Sequence, residues 1–172
     1  MTFPKYSGGG EVDKCRDRLS KYCKGDGLDI GCGGTNSDIR FYQENKIVPT
    51  AIGVDLYKTN LTGKADNLYW FKDGCLDYVF SSHLLEHLDD PHAALLEWFR
   101  VLKSGGYIVM YLPLRGVYPN VGEEGANRDH KYNLDPDIIL DWLRGFPPHQ
   151  IVCVQEVTNM DEYSFDMVIR KL

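Results

Sequence analysis

The sequence lacks three features that would point to particular classes of protein. It has no apolar run near the ~20 residues of a membrane-spanning helix, and no basic-then-apolar leader after Met1. Its five cysteines include no Cys-x-x-Cys pair, which favours reduced thiols over a zinc site or a disulfide framework. Positive charge is not in excess, because the net charge is −6. We therefore expect a cytoplasmic protein that binds neither a membrane nor nucleic acid.

What is present is an ordinary globular composition. The chain has 172 residues, of which 43% are hydrophobic and 26% are charged, enough for one domain with its own core. We expect a single domain over residues 1–172, with residues 1–10 as a loose lead-in. A long loop is expected over 113–134, a length typical of functional or disordered segments.

Helical and extended patterns alternate along the chain. Helices are predicted over residues 11–24, from Thr35 to Tyr42, from Pro91 to a stop at Lys103-Ser104-Gly105-Gly106, and over 135–144. Strands are predicted over 27–31, 51–54, 76–81, 107–112, 149–157 and 163–171, with a short strand around 63–66. This order predicts an α/β fold with helices on both faces of a seven-stranded sheet, mostly parallel with one antiparallel strand at or near its edge.

The first predicted strand runs directly into a glycine-rich turn. The segment reads Gly27-Leu28-Asp29-Ile30-Gly31-Cys32-Gly33-Gly34, an apolar strand with one carboxylate. Glycines after such a strand let the backbone approach a ligand closely, which indicates a nucleotide-like cofactor at the carboxyl edge of the sheet. The dinucleotide fingerprint needs a third glycine where Asn36 stands, so a dinucleotide is the less favoured cofactor.

Five segments in order resemble one known family. They are the turn at 27–34, Gly53-Val54-Asp55-Leu56, Ala65-Asp66-Asn67-Leu68, the strand and loop at 76–88, and Arg100-Val101-Leu102-Lys103-Ser104-Gly105-Gly106 with its following strand. Together they resemble the class I S-adenosylmethionine-dependent methyltransferases, in particular the short, type-11-like methyltransferase domain. The resemblance covers about residues 27–112 and implies a Rossmann-like fold with S-adenosylmethionine as cofactor.

The resemblance and the residue chemistry together give a set of cofactor-binding residues. Asp55 follows Gly33 by 22 residues at a strand end, where a carboxylate accepts hydrogen bonds from both ribose hydroxyls. Gly31 and Gly33 allow close approach of the methionine portion, and Asp29 orients its amino-acid end directly or through water. The alternatives remain that Asp55 only ends a strand and that Asp29 is a buried acid with another partner.

For the adenine ring, the resemblance implies contacts from the next segment. Asp66 would reach the amino group, Asn67 would offer a backbone donor, and Leu56 and Leu68 would sandwich the ring. Cys32 and Ser82 complete the predicted set. The stretch 56–66 is shorter than the family pattern, so Asp66 also fits a plain loop residue, and either leucine also fits the core.

The acceptor side is marked by histidines. If 83–88 is a helical turn, His83, Glu86 and His87 share one face. His83 is the first candidate for a general base, and His130 in the covering loop is the second. A metal bound by the trio is a possible alternative, but no cysteine or aspartate supports it at ligand spacing, so no metal is predicted. Structural capping or pairing by Glu86 and His87 is also open.

These observations favour methyl transfer to oxygen of a small molecule or glycan. The chain has no Asn/Asp-Pro-Pro-Tyr/Phe segment after the strand at 76–81, which disfavours amino methylation of nucleic-acid bases. Two other functions stay open: a non-catalytic S-adenosylmethionine-binding or scaffold protein on the same fold, and an NAD-linked oxidoreductase. The oligomeric state is left open.

Overall fold

The computed structural model describes residues 10–33, 46–57, 59–159 and 161–172. In chain order its helices and strands are α1 (Glu11–Leu19), β1 (Gly27–Ile30), β2 (Ile52–Asp55), β3 (Leu61–Thr62), β4 (Leu76–Ser82), α2 (Pro91–Val101), β5 (Leu102–Pro113), α3 (Pro136–Trp142), β6 (His149–Val157) and β7 (Ser164–Lys171). Short 3₁₀ turns follow at Ser20–Tyr22 and Leu85–His87. The predicted helix from Thr35 to Tyr42, and all but the last residue of the predicted lead-in, lie outside the described residues.

The seven strands form one sheet in the order β3-β2-β1-β4-β5-β7-β6. All pairs from β3 to β5 are parallel, whereas β7 runs antiparallel to both β5 and β6. The prediction of a mostly parallel sheet with one antiparallel strand near its edge is confirmed. The strand order reverses between β1 and β4, and such a reversal opens a crevice at the carboxyl ends of the strands.

Helices cover both faces of this sheet, as predicted. On one face, Cys15 and Leu19 of α1 pack in a cluster with Tyr78, Phe80 and Val109. On the other face, α2 and α3 join the larger cluster, which includes Leu28 and Ile30 of β1. Successive strand residues point to opposite faces, so Asp29 lies on the face opposite to its two neighbours.

The starts of α2 and α3 use the same local chemistry. Asp90 caps α2 by accepting a hydrogen bond from the Ala93 N–H at 2.8 Å, and Pro91 follows it. Asp135 caps α3 by accepting from the Ile138 N–H at 2.9 Å, and a proline again follows. A side-chain oxygen at this position accepts from a backbone N–H that has no partner within the helix. Proline in the first turn has no backbone N–H that could be left unpaired.

The predicted end of α2 is wrong. The helix stops at Val101, and Leu102 is already extended and pairs with Leu76 in β4. The carbonyls of Arg100 and Val101 accept hydrogen bonds at 2.9 Å from Gly74 and Cys75, so no glycine cap is needed. The glycine at 106 serves the sheet instead, because a Cβ there would lie 2.9 Å from the Asp77 carbonyl oxygen.

The short third strand also lies earlier than predicted. β3 pairs with β2 through Val54 opposite Leu61 and Asp55 opposite Thr62. The predicted position at 63–66 is a turn, which begins where the Gly63 N–H donates to the Asp55 carbonyl oxygen at 2.8 Å. This shift places residues 63–66 at the carboxyl edge of the sheet rather than within it.

None of the helices in the described residues has the length and apolarity to cross a membrane.

Candidate functional site

A cavity of about 210 Å³ opens at the carboxyl ends of β1 and β2. We call it the edge cavity, and its lining residues are Ile30, Gly31, Val54, Asp55, Leu56, Gly63, Lys64, Ala65, Asp66, Leu84, His87, Leu88, Asp89 and Lys131. Four predicted cofactor-binding residues are among them: Gly31, Asp55, Leu56 and Asp66. The cavity therefore lies where the strand order predicts a ligand.

The glycine turn forms one rim of the edge cavity. Gly31 has φ +73° and donates its N–H to the Val54 carbonyl oxygen at 2.8 Å. A Cβ at this position would lie 2.8–2.9 Å from side-chain atoms of Leu84, so the turn has no room for one. Gly33 has φ +75°, a backbone conformation that side chains with a Cβ rarely adopt. Both glycines therefore fit the close backbone approach that their pattern predicts.

Asp55 stands opposite this turn and is held by two backbone amides. Its Oδ2 accepts from the Gly33 N–H at 3.0 Å, and its Oδ1 accepts from the Tyr57 N–H at 3.1 Å. A carboxylate oxygen has a second lone pair, so each still has capacity for a ligand hydroxyl. Beside it the Leu56 side chain is 65% exposed. A fixed acceptor next to an uncovered apolar group suits a ribose joined to a flat base.

The segment after β3 supplies the far wall of the edge cavity. The Ala65 carbonyl oxygen accepts from the Trp98 indole N–H at 2.8 Å, which ties this wall to α2. Asp66 lines the cavity, whereas the Asn67 N–H donates to the Lys64 carbonyl oxygen at 3.3 Å within the turn. Leu68 is fully buried in the core, so of the two leucines only Leu56 is exposed to a ligand.

Five predicted cofactor-binding residues lie outside the lining of the edge cavity: Gly33 and Asn67, described above, and Asp29, Cys32 and Ser82. Asp29 is 1% exposed and its Oδ2 accepts from the Ile47 N–H at 2.8 Å. Burial raises the pKa of this carboxyl to about 7, against the lowering effect of that hydrogen bond. The Cys32 thiol lies 3.3 Å from the Val54 carbonyl oxygen. The Ser82 hydroxyl is buried and has no hydrogen-bond partner among the described residues.

The histidines gather around one buried carboxylate. Glu86 is 0% exposed, and its Oε1 lies 3.7 Å from His83 Nδ1, 3.9 Å from His87 Nε2 and 3.7 Å from His130 Nε2. The predicted grouping of His83, Glu86 and His87 is thus present, and His130 joins it from the loop at 114–135. We call these four residues the histidine–glutamate cluster.

The long loop is fixed against the 3₁₀ turn by backbone hydrogen bonds. The Lys131 N–H donates to the Glu86 carbonyl oxygen at 2.8 Å, and Nδ1 of His87 lies 3.2 Å from the Asp129 carbonyl oxygen. The Tyr132 hydroxyl donates to the Asp89 carbonyl oxygen at 3.0 Å. These contacts place His130 beside His87 and bring Lys131 to the edge cavity.

Burial keeps two of the imidazoles neutral. It lowers the pKa of His83 to about 3 and that of His130 to about 4. His83 is also held by its Nε2, which lies 3.0 Å from the Ser164 hydroxyl oxygen. Neither ring lines the edge cavity, whereas His87 does. The candidate bases therefore lie behind the wall that His87 forms.

Several lining residues were missed by the sequence interpretation. Lys64, Leu84, Leu88, Asp89 and Lys131 all face the edge cavity. In the structure Lys131 forms an ion pair with Asp89, 42 residues away. The sequence gives no signal for this pair, because opposite charges so far apart along the chain do not predict a contact.

Comparison with known proteins agrees with the geometry. Residues 28–110 match the family model described as a methyltransferase domain. A search of curated proteins gives no significant match. Among solved structures, the fold is similar to that of an S-adenosylmethionine-dependent methyltransferase from Archaeoglobus fulgidus. That pair has 21% identity and a TM-score of 0.64, with 94% of this chain and 95% of that chain covered.

Two further structural neighbours differ in the chemistry that they perform. One is the Burkholderia thailandensis 1,6-didemethyltoxoflavin-N1-methyltransferase, solved with that compound and S-adenosylhomocysteine bound. It has 16% identity and a TM-score of 0.65, with 94% of this chain and 78% of that chain covered. The other is the [4+2]-cyclase SpnF, with 16% identity and a TM-score of 0.67, covering 93% and 79% of the two chains.

All of the residues that line the edge cavity except Lys131 lie within the matched residues 28–110. Residues 28–110, just under half of the chain, match the methyltransferase-domain model, and the chain has the fold of the S-adenosylmethionine-dependent methyltransferases to which it is similar.

Proposed function

We propose that this protein transfers the methyl group of S-adenosylmethionine to an oxygen atom of a small-molecule acceptor. The observation that carries the proposal is the pairing of the glycine turn with Asp55 across the rim of the edge cavity. This pairing places backbone that a ligand can approach closely beside a carboxylate that is held in a fixed position. When bound, S-adenosylmethionine supplies an electrophilic methyl group for direct displacement.

The donor side of the cavity is assigned as follows. Asp55 accepts hydrogen bonds from the ribose hydroxyls, and Leu56 packs on the adenine ring. Asp66 accepts from the adenine amino group at the far wall. Gly31 and Gly33 leave space for the methionine portion. Asp29 lies outside the cavity lining, so we assign it an indirect role. Its carboxyl accepts from the Ile47 N–H and so ties the backbone at Ile47 to β1, the strand that leads into the glycine turn.

Cys32, Asn67 and Ser82 remain part of the proposed cofactor site. Cys32 lies between the two glycines of the turn, and Asn67 follows Asp66 directly. Ser82 ends β4, and its buried hydroxyl bonds to none of the residues that the structure describes.

The acceptor side is assigned to the wall formed by His87, Asp89 and Lys131. Because the protein aligns two reactants in a direct displacement, a positioned wall of this kind lowers the barrier by itself. A hydroxyl acceptor also loses a proton as its new C–O bond forms. The neutral imidazoles of His83 and His130 are the proposed acceptors of that proton, and because they lie behind His87 they would receive it through an intervening group rather than directly.

A small acceptor is favoured over a nucleic acid by charge. The chain carries a net charge of −6, which opposes the binding of a phosphate backbone. The Burkholderia thailandensis neighbour is named as a methyltransferase of the small molecule 1,6-didemethyltoxoflavin, at nitrogen rather than oxygen. Sugars and glycans remain within the proposed acceptor class because they present hydroxyl groups.

Turnover is the decisive test. The full chain is incubated with S-adenosylmethionine and panels of small hydroxylated compounds, sugars and amines, and S-adenosylhomocysteine is measured. Product with hydroxylated acceptors supports the proposal, whereas product only with amines overturns the oxygen assignment. Thermal shift with S-adenosylmethionine and with NAD separates the alternatives. Stabilisation by S-adenosylmethionine without turnover in any panel supports the non-catalytic alternative, and stabilisation by NAD alone supports the oxidoreductase.

A further inference from the structure

The carboxylate of Glu86 is buried without compensation. It is 0% exposed, and neither oxygen has a hydrogen-bond partner on another described residue. A buried polar group without a partner is costly and calls for an explanation.

The nearest groups are imidazole nitrogens, and they are too distant for hydrogen bonds. His87 Nε2 lies 3.9 Å and His130 Nε2 lies 3.7 Å from Glu86 Oε1, whereas N–H···O bonds span about 2.7–3.2 Å. One ligand atom from each of Glu86, His87 and His130 lies within 4.8 Å of the other two. The three groups therefore converge on a shared position without bonding to one another.

The orientation of His87 adds a second, independent observation. Its Nδ1 lies 3.2 Å from the Asp129 carbonyl oxygen, which only accepts, so Nδ1 carries the hydrogen. In the neutral ring the lone pair is then on Nε2, which faces the carboxylate. A histidine that donates its other N–H to a backbone carbonyl is the usual arrangement of a metal ligand.

We propose that Glu86, His87 and His130 bind a divalent transition-metal cation of the zinc type. Two nitrogen donors and one carboxylate oxygen suit such a cation and leave a position open for a further ligand. Ligand atoms about 2.0–2.2 Å from a tetrahedral metal are about 3.3–3.6 Å apart. The observed 3.7 and 3.9 Å between the imidazole nitrogens and the carboxylate exceed this by a few tenths of an ångström, and the ligand atoms of all three residues lie within 4.8 Å of one another, so side-chain shifts must draw them together.

The site is held in place before any cation binds. Glu86 and His87 belong to the 3₁₀ turn after β4, and His130 is positioned by the neighbouring Lys131 N–H, which donates to the Glu86 carbonyl oxygen at 2.8 Å. His83 Nδ1 also lies 3.7 Å from the same carboxylate oxygen, but His83 is not one of the three residues whose ligand atoms all lie within 4.8 Å of one another.

The position of the site suggests a catalytic role, and this role rests on the proposed function. His87 lines the edge cavity while Glu86 and His130 do not, so the cation would lie directly behind the His87 ring and an acceptor would have to reach it past that ring. An acceptor hydroxyl bound at the open position becomes more acidic and releases its proton to solvent. Its oxygen then forms the new C–O bond as the C–S bond of the donor breaks, with the electron pair going to sulfur. His130 is a ligand in this role rather than the base.

Cation binding is measured without cofactor or acceptor, so that it is independent of turnover. The chelator-treated full chain is titrated with Zn²⁺ by calorimetry and with Co²⁺ by visible absorption. We expect one equivalent of each, with d–d absorption and no thiolate-to-cobalt charge-transfer band. Glu86→Gln, His87→Ala and His130→Ala should each weaken binding by more than about 10–100-fold, the loss that follows removal of a mere outer partner. His92→Gln, at an exposed histidine on α2, should leave it unchanged.

Three results would overturn the site: no stoichiometric binding, retained affinity in His87→Ala, or a charge-transfer band that reveals cysteine ligands. The His87 side chain is partly exposed, so its variant keeps the test valid if Glu86→Gln fails to fold. The catalytic role has its own readout, the turnover of the stripped and reloaded protein with an acceptor found by the panel. Equal turnover with and without Zn²⁺ would overturn that role, while a failure of S-adenosylmethionine binding would count against the proposed function alone.

Discussion

The backbone N–H of Gly33 donates a hydrogen bond to Oδ2 of Asp55, with 3.0 Å between nitrogen and oxygen. Gly33 follows β1 and Asp55 ends β2, and these adjacent parallel strands pair with Ile30 beside Val54. The Tyr57 N–H holds the other oxygen of the same carboxylate at 3.1 Å. Asp55 is therefore fixed at the rim of the edge cavity before a ligand arrives.

Loss of this carboxylate should weaken cofactor binding. Asp55→Ala removes the acceptor for the ribose hydroxyls, and hydrogen bonds to a charged group contribute about 1.5–3 kcal/mol. We expect affinities for S-adenosylmethionine and S-adenosylhomocysteine to fall about 10- to 100-fold by calorimetry. The matched control is Asp17→Ala, an exposed aspartate on α1 that does not line the cavity. Unchanged affinity in Asp55→Ala would remove the ribose assignment.

Gly31 should be sensitive to even one added carbon. Gly31→Ala adds a Cβ at φ +73° and 2.8–2.9 Å from Leu84, so it incurs both backbone strain and a steric clash. Gly116→Ala provides the control, since this glycine has φ +79° and no described atom within 4 Å of the added carbon. Strain alone costs about 1–2 kcal/mol. In urea denaturation Gly31→Ala should therefore lose more stability than Gly116→Ala, and equal losses would contradict the clash.

Asp66 tests whether the short segment after β2 still recognises adenine. If its carboxylate accepts from the adenine amino group, the protein should prefer S-adenosylhomocysteine over the inosine analogue, which carries a carbonyl there. Asp66→Ala should abolish this preference and cost about 2- to 10-fold in affinity for the adenine compound. Asp66→Asn, which keeps an oxygen acceptor, should retain part of it. A preference that survives in Asp66→Ala would assign adenine recognition elsewhere.

The sheet was predictable from sequence because buried strands and capped helices leave local signals. Asp90 and Asp135, each followed by proline, mark helix starts that the structure confirms. The glycines at 105 and 106 led to the wrong helix end, because a glycine pair is typical of a helix end and also occurs where two strands approach closely. Only the pairing of Leu102 with Leu76, a contact between distant residues, distinguishes the two.

The candidate site was predictable only where it follows strand ends. Gly31 and Asp55 meet because adjacent parallel strands end at the same edge. His130 and Glu86 are 44 residues apart, and His130 lies in a loop without periodicity, so their contact had no local signal. The orientation of Asp29 did have one, because strand alternation places it opposite to Ile30, which lines the cavity.

Asp29 should make stability depend on pH. Burial raises the pKa of its carboxyl to about 7 in the folded state, whereas an unfolded aspartate titrates near 4. The unfolded chain therefore releases this proton first as pH rises. Its contribution to stability is complete below about pH 4 and is lost as pH rises to about 7, with a slope of up to about 1.4 kcal/mol per pH unit.

The Asp29→Asn variant isolates this contribution, because an amide of the same shape has no proton to lose and can still accept from the Ile47 N–H. Free energies of unfolding in urea are measured for both proteins from pH 4.5 to 8. The wild type should lose stability relative to the variant up to about pH 7, and the difference should then stay constant. Asp17→Asn, at an exposed position, should show a constant difference throughout. A constant difference for Asp29→Asn as well would mean that the carboxyl is already ionised in the folded protein at pH 4.5. Its hydrogen bond to Ile47 and the nearby charge of Lys46, which both lower its pKa, would then outweigh its burial.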